Sequence, residues 1–142
     1  MKTDLHNSSK AAFVMNAACG TTGTGVTGEI IDRKGFHGVE FAVNYGAVTA
    51  TAATITLSML EGDTTGAMTT VASTDILGSL TEAGLAAGAR TDGVGDKIAG
   101  QVGYKGRKRY VTLKEVPTAT AGALVGITAL LHTPEAGPVD HS

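Results

Sequence analysis

Apolar and polar residues alternate along much of this chain, with the two-residue period of a β-strand. From His37 to Tyr45 (HGVEFAVNY), Val39, Phe41, Val43 and Tyr45 fall on one face, and Glu40, Ala42 and Asn44 on the other. From Ala53 to Glu61 (ATITLSMLE), Ile55, Leu57 and Met59 oppose Thr54, Thr56 and Ser58. Arg107–Val116 sets Val111, Leu113 and Glu115 against Tyr110, Thr112, Lys114 and Val116, and Lys97–Tyr104 sets Ile98, Gly100, Val102 and Tyr104 against Ala99, Gln101 and Gly103. Ala11–Cys19 (AAFVMNAAC) predicts a strand with Phe13 and Met15 on one face and Val14 and Asn16 on the other. Gly122–Leu131 (GALVGITALL) is apolar at nearly every position, which predicts a central strand covered on both faces.

Turn residues punctuate these segments: Arg33-Lys34-Gly35, Gly62–Gly66, Arg90–Asp96 and Pro117–Ala121. Gly20–Gly28 reads as a loop or a loop feeding a strand, Glu29–Asp32 as a strand end, and Ala67–Ser73 as a short strand. Asp75–Ala89 keeps no clean period and reads mostly as loop, with room for a helical turn at Thr81–Ala87. The strands at His37–Tyr45 and Ala53–Glu61 are expected to be antiparallel neighbours. A chain of short strands with glycine turns predicts an all-β fold, an antiparallel β-sandwich or β-barrel-like domain. Its core is expected to draw on Val39, Phe41, Val43, Ile55, Leu57, Met59, Val111, Leu113, Val125 and Ile127. Residues 1–10 read as a flexible N-terminal arm, 11–132 as a single β domain, and 133–142 as a C-terminal tail.

Composition adds a constraint. The hydrophobic fraction is 42%, but alanine, threonine and glycine dominate, tryptophan is absent and aromatics are 4%. A thin core is therefore expected, with self-association helping to remove apolar surface from water. A net charge of −2 argues against a nucleic-acid partner, which calls for a basic excess. The single cysteine, Cys19, has no intrachain partner, and no Cys/His set has zinc spacing. No segment approaches the roughly 20 apolar residues of a membrane span, and no signal-peptide pattern is visible. A soluble protein made in the cytoplasm, with no membrane partner, is expected.

Candidate chemistry is sparse. Gly23–Gly28 fits GxGxxG, but the segment after it is too short for the helix that would receive a phosphate, so a loop is expected. Asp92 and Asp96 flank Gly93-Val94-Gly95 without the further oxygen ligands of a calcium loop. His6, His37, His132 and His141 are scattered, and no serine sits in a nucleophile-elbow context. The expectation is a protein without catalytic residues, cofactor or metal. One dense basic cluster stands out: Lys105, Arg107, Lys108 and Arg109. It reads first as solvated hairpin charge, next as a contact for an acidic protein surface, and last as a nucleic-acid contact, which would also want a basic surround or stacking aromatics.

Several segments together resemble a known group. Ile31-Asp32-Arg33-Lys34-Gly35-Phe36, then Val39-Glu40-Phe41-Ala42-Val43, then Ile55–Asp63 (ITLSMLEGD), and later Tyr104–Val111 (YKGRKRYV) are similar to the cadence of small virion proteins of tailed bacteriophages. The likeness spans about Thr24–Leu131. It implies a non-enzymatic structural protein of the head, of the decoration or cement type, bound to the major capsid protein on the exterior of the virion and often present as a homotrimer. A neck, tail or head-spike protein is the nearest alternative. A host-surface-binding β-sandwich module is a further one, but it calls for exposed aromatic platforms that three Phe, three Tyr and no Trp do not readily supply.

Overall fold

A computed structural model describes residues 4–18, 23–46, 54–85, 99–118, 124–136 and 139. Among the described residues ten strands form: β1 (Ser9–Ala18), β2 (Val26–Thr27), β3 (Ile31–Asp32), β4 (Phe36–Tyr45), β5 (Ile55–Gly62), β6 (Thr69–Thr70), β7 (Ile76–Leu77), β8 (Ala99–Tyr104), β9 (Tyr110–Pro117) and β10 (Leu124–Pro134). One short helix, α1 (Leu80–Ala83), follows β7, and Ser79 caps it by accepting from the Glu82 amide at 3.2 Å. The strands make two antiparallel sheets. The first runs β1-β10-β4-β8-β7; the second runs β2-β9-β5-β6, with β3 also pairing with β9. Together they form an all-β, sandwich-like fold.

All ten residues expected in the core are buried, none more than 3% exposed. Val14, Met15, Tyr45, Val102, Tyr104, Ala129 and Leu131 join them. The expectation of a thin, alanine-rich core does not hold for the described residues. Only Ala83 and Ala129 are alanines in it. Ala11, Ala42, Ala67, Ala72 and Ala136 lie exposed. The interior is filled by branched, sulfur-containing and aromatic side chains, whose burial contributes roughly 1.5–3 kcal/mol each.

Three local expectations are corrected. β4 and β5 are not neighbours but lie in different sheets: β10 and β8 occupy the two edges of β4, and β9 and β6 those of β5. The connection between them is far longer than the two residues of a tight hairpin, so adjacency was not imposed. β10 is an interior strand, between β1 and β4, but its alternate residues are not all buried. Val125, Ile127, Ala129 and Leu131 point inward, whereas Thr128 is exposed and Gly126 and Leu130 are half-buried. In β1 a bulge between Phe13 and Met15 breaks the alternation. Val14 and Met15 are both buried and Phe13 is 62% exposed, because the extra residue turns one side chain back to the same face. The carbonyl of Val14 accepts from the Glu29 amide at 2.8 Å.

The boundaries near the termini also differ from those expected. β1 begins at Ser9 and β10 continues to Pro134. Asp4–Ser9 forms a capped turn: the Asn7 amide donates to Asp4 Oδ1 at 3.1 Å, and the Ser9 hydroxyl donates to the Leu5 carbonyl at 2.7 Å. The Glu135 amide donates to Gly35 O at 2.9 Å and the Val139 amide to Asn7 O at 3.2 Å. Short polar side chains cap the N-terminal turn, and backbone hydrogen bonds hold the C-terminal end, where the hydrophobic pattern predicted nothing. Cys19, Asp92–Asp96 and His141 lie outside the described residues.

Gly23–Gly28 is no phosphate loop. It runs along β9, with the Gly23 amide donating to Pro117 O and the Gly28 amide to Leu113 O, both at 2.9 Å. Gly25, at φ +70°, approaches so closely that a Cβ would lie 1.8 Å from the Glu115 carbonyl oxygen. Gly25 and Gly28 serve close packing against β9 and β1, whereas Gly23 supplies a positive φ in open space.

Candidate functional site

The basic cluster lies in the loop between β8 and β9, at the end of the sandwich that also carries the β3–β4 turn, the turn after β5 and the end of β10. The β3–β4 turn is built locally. Asp32 Oδ1 accepts from the Lys34 amide at 3.0 Å, the Phe36 amide donates to Arg33 O at 2.9 Å, and Gly35 takes φ +86°. The two loops are then joined through the backbone, as the Arg33 amide donates to Arg109 O at 3.0 Å.

Side chains complete the joint. Arg109 grips Asp32 with two parallel hydrogen bonds, Nε to Oδ1 at 2.9 Å and a terminal nitrogen to Oδ2 at 2.6 Å. That contact holds the Asp32 carboxyl below its usual value. Arg33 donates to the Lys108 carbonyl at 2.5 Å and the His37 carbonyl at 2.8 Å, and its guanidinium lies 5.1 Å from the centre of the Tyr104 ring. Tyr104 is 1% exposed, and its hydroxyl donates to Glu61 while accepting from the Lys108 amide at 3.0 Å. Burial, and then the bond to Glu61, push the phenol above its ordinary range. Lys108 Nζ sits 2.5 Å from Asp63, which raises the lysine.

The four cations of the cluster therefore divide. Lys108 and Arg109 are held by Asp63 and Asp32. Lys105 and Arg107 are exposed and make no ion pair among the described residues. Sequence reasoning missed Arg33, Asp32, Asp63 and Glu61 as members of this assembly, although both segments belong to the phage-like cadence. The available signal was the coincidence of two charged, glycine-containing turns, each next to a strand with a buried aromatic.

A second feature borders this end. The outer face of the first sheet carries a groove of about 740 Å³ with Glu40, Gln101 and Leu130 in its lining. Leu5, Asn7 and Ser8 of the N-terminal turn and His132–Glu135 at the end of β10 also line it. Leu5 is 62% exposed. The His132 ring lies over Gly38, where a Cβ would come within 2.1 Å of the imidazole, and its Nδ1 is 3.0 Å from the Thr133 hydroxyl. Glu40 lies across Gly103, the residue opposite it on β8.

Among the described residues no group of three or more His, Cys, Asp or Glu side chains is arranged to hold a metal ion. Glu115 is the only carboxylate wholly buried among them, on the inward face of β9 with Val111 and Leu113. No helix of the described residues is long and apolar enough to cross a membrane. No protein-family model matches the chain, and a search of curated proteins gives no match.

Proposed function

We propose that this chain is a non-enzymatic structural protein of a tailed-phage virion, attached to the major capsid protein on the head exterior as a decoration protein and self-associated as a homotrimer. One observation carries the reading. Two of the four segments that carry the phage-like cadence, Ile31–Phe36 and Tyr104–Val111, are halves of one structural unit. Arg33 of the first covers Tyr104 of the second, and Asp32 of the first holds Arg109 of the second. The cadence thus corresponds to a physical joint that fixes two loops at one end of the sandwich, as a protein presenting a rigid end to a repeated neighbour requires. Many identical modest contacts then add up to firm attachment through multivalency.

The test is to purify virions, identify this chain by mass spectrometry and count its copies against the major capsid protein. Copies on the head in fixed ratio to the capsid subunit, with capsids binding added protein in negative-stain images, are expected. A location at the neck or tail would overturn the decoration role and leave the virion assignment standing. Absence from virions would overturn both.

A further inference from the structure

The two features above are opposite in charge. The groove on the outer sheet face carries the carboxylates of Glu40 and Glu135, neither in an ion pair among the described residues. Its lining contains no lysine or arginine, although Glu135 also borders depressions lined by Arg33, Lys34 and Arg109 and by Lys10. The exposed loop between β8 and β9 carries Lys105 and Arg107, likewise without ion pairs among the described residues, on a base made rigid by Lys108, Arg109 and Tyr104. Long basic side chains lay their alkyl stems on apolar surface while their heads seek charge. Leu5, Leu130 and Pro134 provide such surface beside the two carboxylates.

The two patches also share a level along the strands. Glu40 lies opposite Gly103, two residues before Lys105, and Pro134 lies opposite Phe36 at the β3–β4 turn, whose Asp32 pairs with Tyr110. A rotation about an axis parallel to the strands therefore brings the loop of one copy towards the groove of the next without a shift along that axis. A contact between two different patches builds a ring when the rotation closes, and an open filament when a translation is added.

We infer that the Lys105–Arg107 loop of one copy docks in the Glu40/Glu135 groove of a second copy, in a head-to-tail contact that closes into a ring. This deepens the self-association part of the reading above. It is tested on free protein, so it fails or stands separately from the virion location.

The experiment is light scattering of the purified full chain across concentration and salt. Wild-type protein is expected to form a discrete oligomer that dissociates as salt rises, because the contact is charged and only partly desolvated. Lys105→Glu with Arg107→Glu should weaken assembly at least tenfold, as should Glu40→Lys with Glu135→Lys. The chain carrying all four reversals should recover assembly, since loop and groove have exchanged sign. Glu40→Gln with Glu135→Gln gives a milder version should the reversed groove fold poorly, and circular dichroism checks the fold of each variant. Three results would overturn the proposal: a wild-type monomer at every concentration, an oligomer indifferent to groove substitutions, or a fourfold reversal that folds and stays dissociated.

Discussion

The hydroxyl of Tyr104, on the first sheet, donates to the carboxylate of Glu61, on the second. The two residues extend the inward faces of β8 and β5 to the end of the sandwich, where a polar pair meets instead of two apolar side chains. The same hydroxyl accepts from the Lys108 amide, so one phenol ties both sheets to the basic loop.

Tyr104→Phe keeps the ring and removes both bonds. The loss expected is about 1–3 kcal/mol, because Glu61 and the Lys108 amide each lose a partner in a partly buried place. Denaturant unfolding checks the size, and faster hydrogen exchange at the Lys108 amide checks the loop. The substitution should also flatten part of the alkaline stability loss. The folded phenol titrates above its ordinary 10.0. The unfolded chain therefore gives up this proton first, and the stabilisation, complete below pH 10, fades as pH rises towards the folded value. Lys108, raised by Asp63, fades in the alkaline range by the same sign, so the slope should shrink in Tyr104→Phe without vanishing.

At the acid end the sign is opposite. The Asp32 carboxyl is held below its ordinary 3.8 by Arg109. Its contribution is complete above that value and is lost as pH falls through the lower folded value. Asp32→Asn should remove this component from an acid titration followed by circular dichroism, leaving a flatter curve below pH 4. An unchanged curve would mean that the pair does not persist in solution.

Gly25 and Gly35 both have positive φ, but only Gly25 is crowded. Gly35→Ala places its Cβ in open space, so only the backbone penalty of roughly 1–2 kcal/mol applies. Gly25→Ala adds a collision with the backbone of Glu115, and a loss of about 3 kcal/mol or more is expected. Comparing the two denaturation midpoints separates strain from collision.

Phe41 and Phe13 test the two faces of the first sheet. Phe41 is wholly buried, and Phe41→Ala should cost about 3–5 kcal/mol. Phe13 is mostly exposed, and Phe13→Thr, which keeps a strand-favouring residue, should change the stability of the free protein by no more than about 0.5 kcal/mol.

Local alternation made the strands legible wherever one face is buried and the other wet, as in β4 and β5. It failed where a backbone irregularity changed the count, as at Val14, and where pairing partners had to be chosen. Nothing in His37–Tyr45 or Ala53–Glu61 says that the two strands enter different sheets, because that choice depends on which distant strands take their edges. The mass of alanine misled the reading of the core, since composition does not say which face a residue takes. At the basic end, the charges were legible as a cluster. Their division into Lys108 and Arg109, matched by Asp63 and Asp32, and Lys105 and Arg107, without an ion pair among the described residues, was not, because Asp63 and Asp32 lie far away in sequence.

The bulge at Val14 bears on what happens when the protein is crowded. β1 is a ten-residue rim strand, and a straight rim of that length is a template for open-ended strand addition, the route to fibrils. The bulge bends that rim and the Glu29 amide occupies its Val14 carbonyl, so an incoming strand meets an interrupted ladder. A chain blunted in this way can be gathered at high local density while its backbone edges stay out of register with one another.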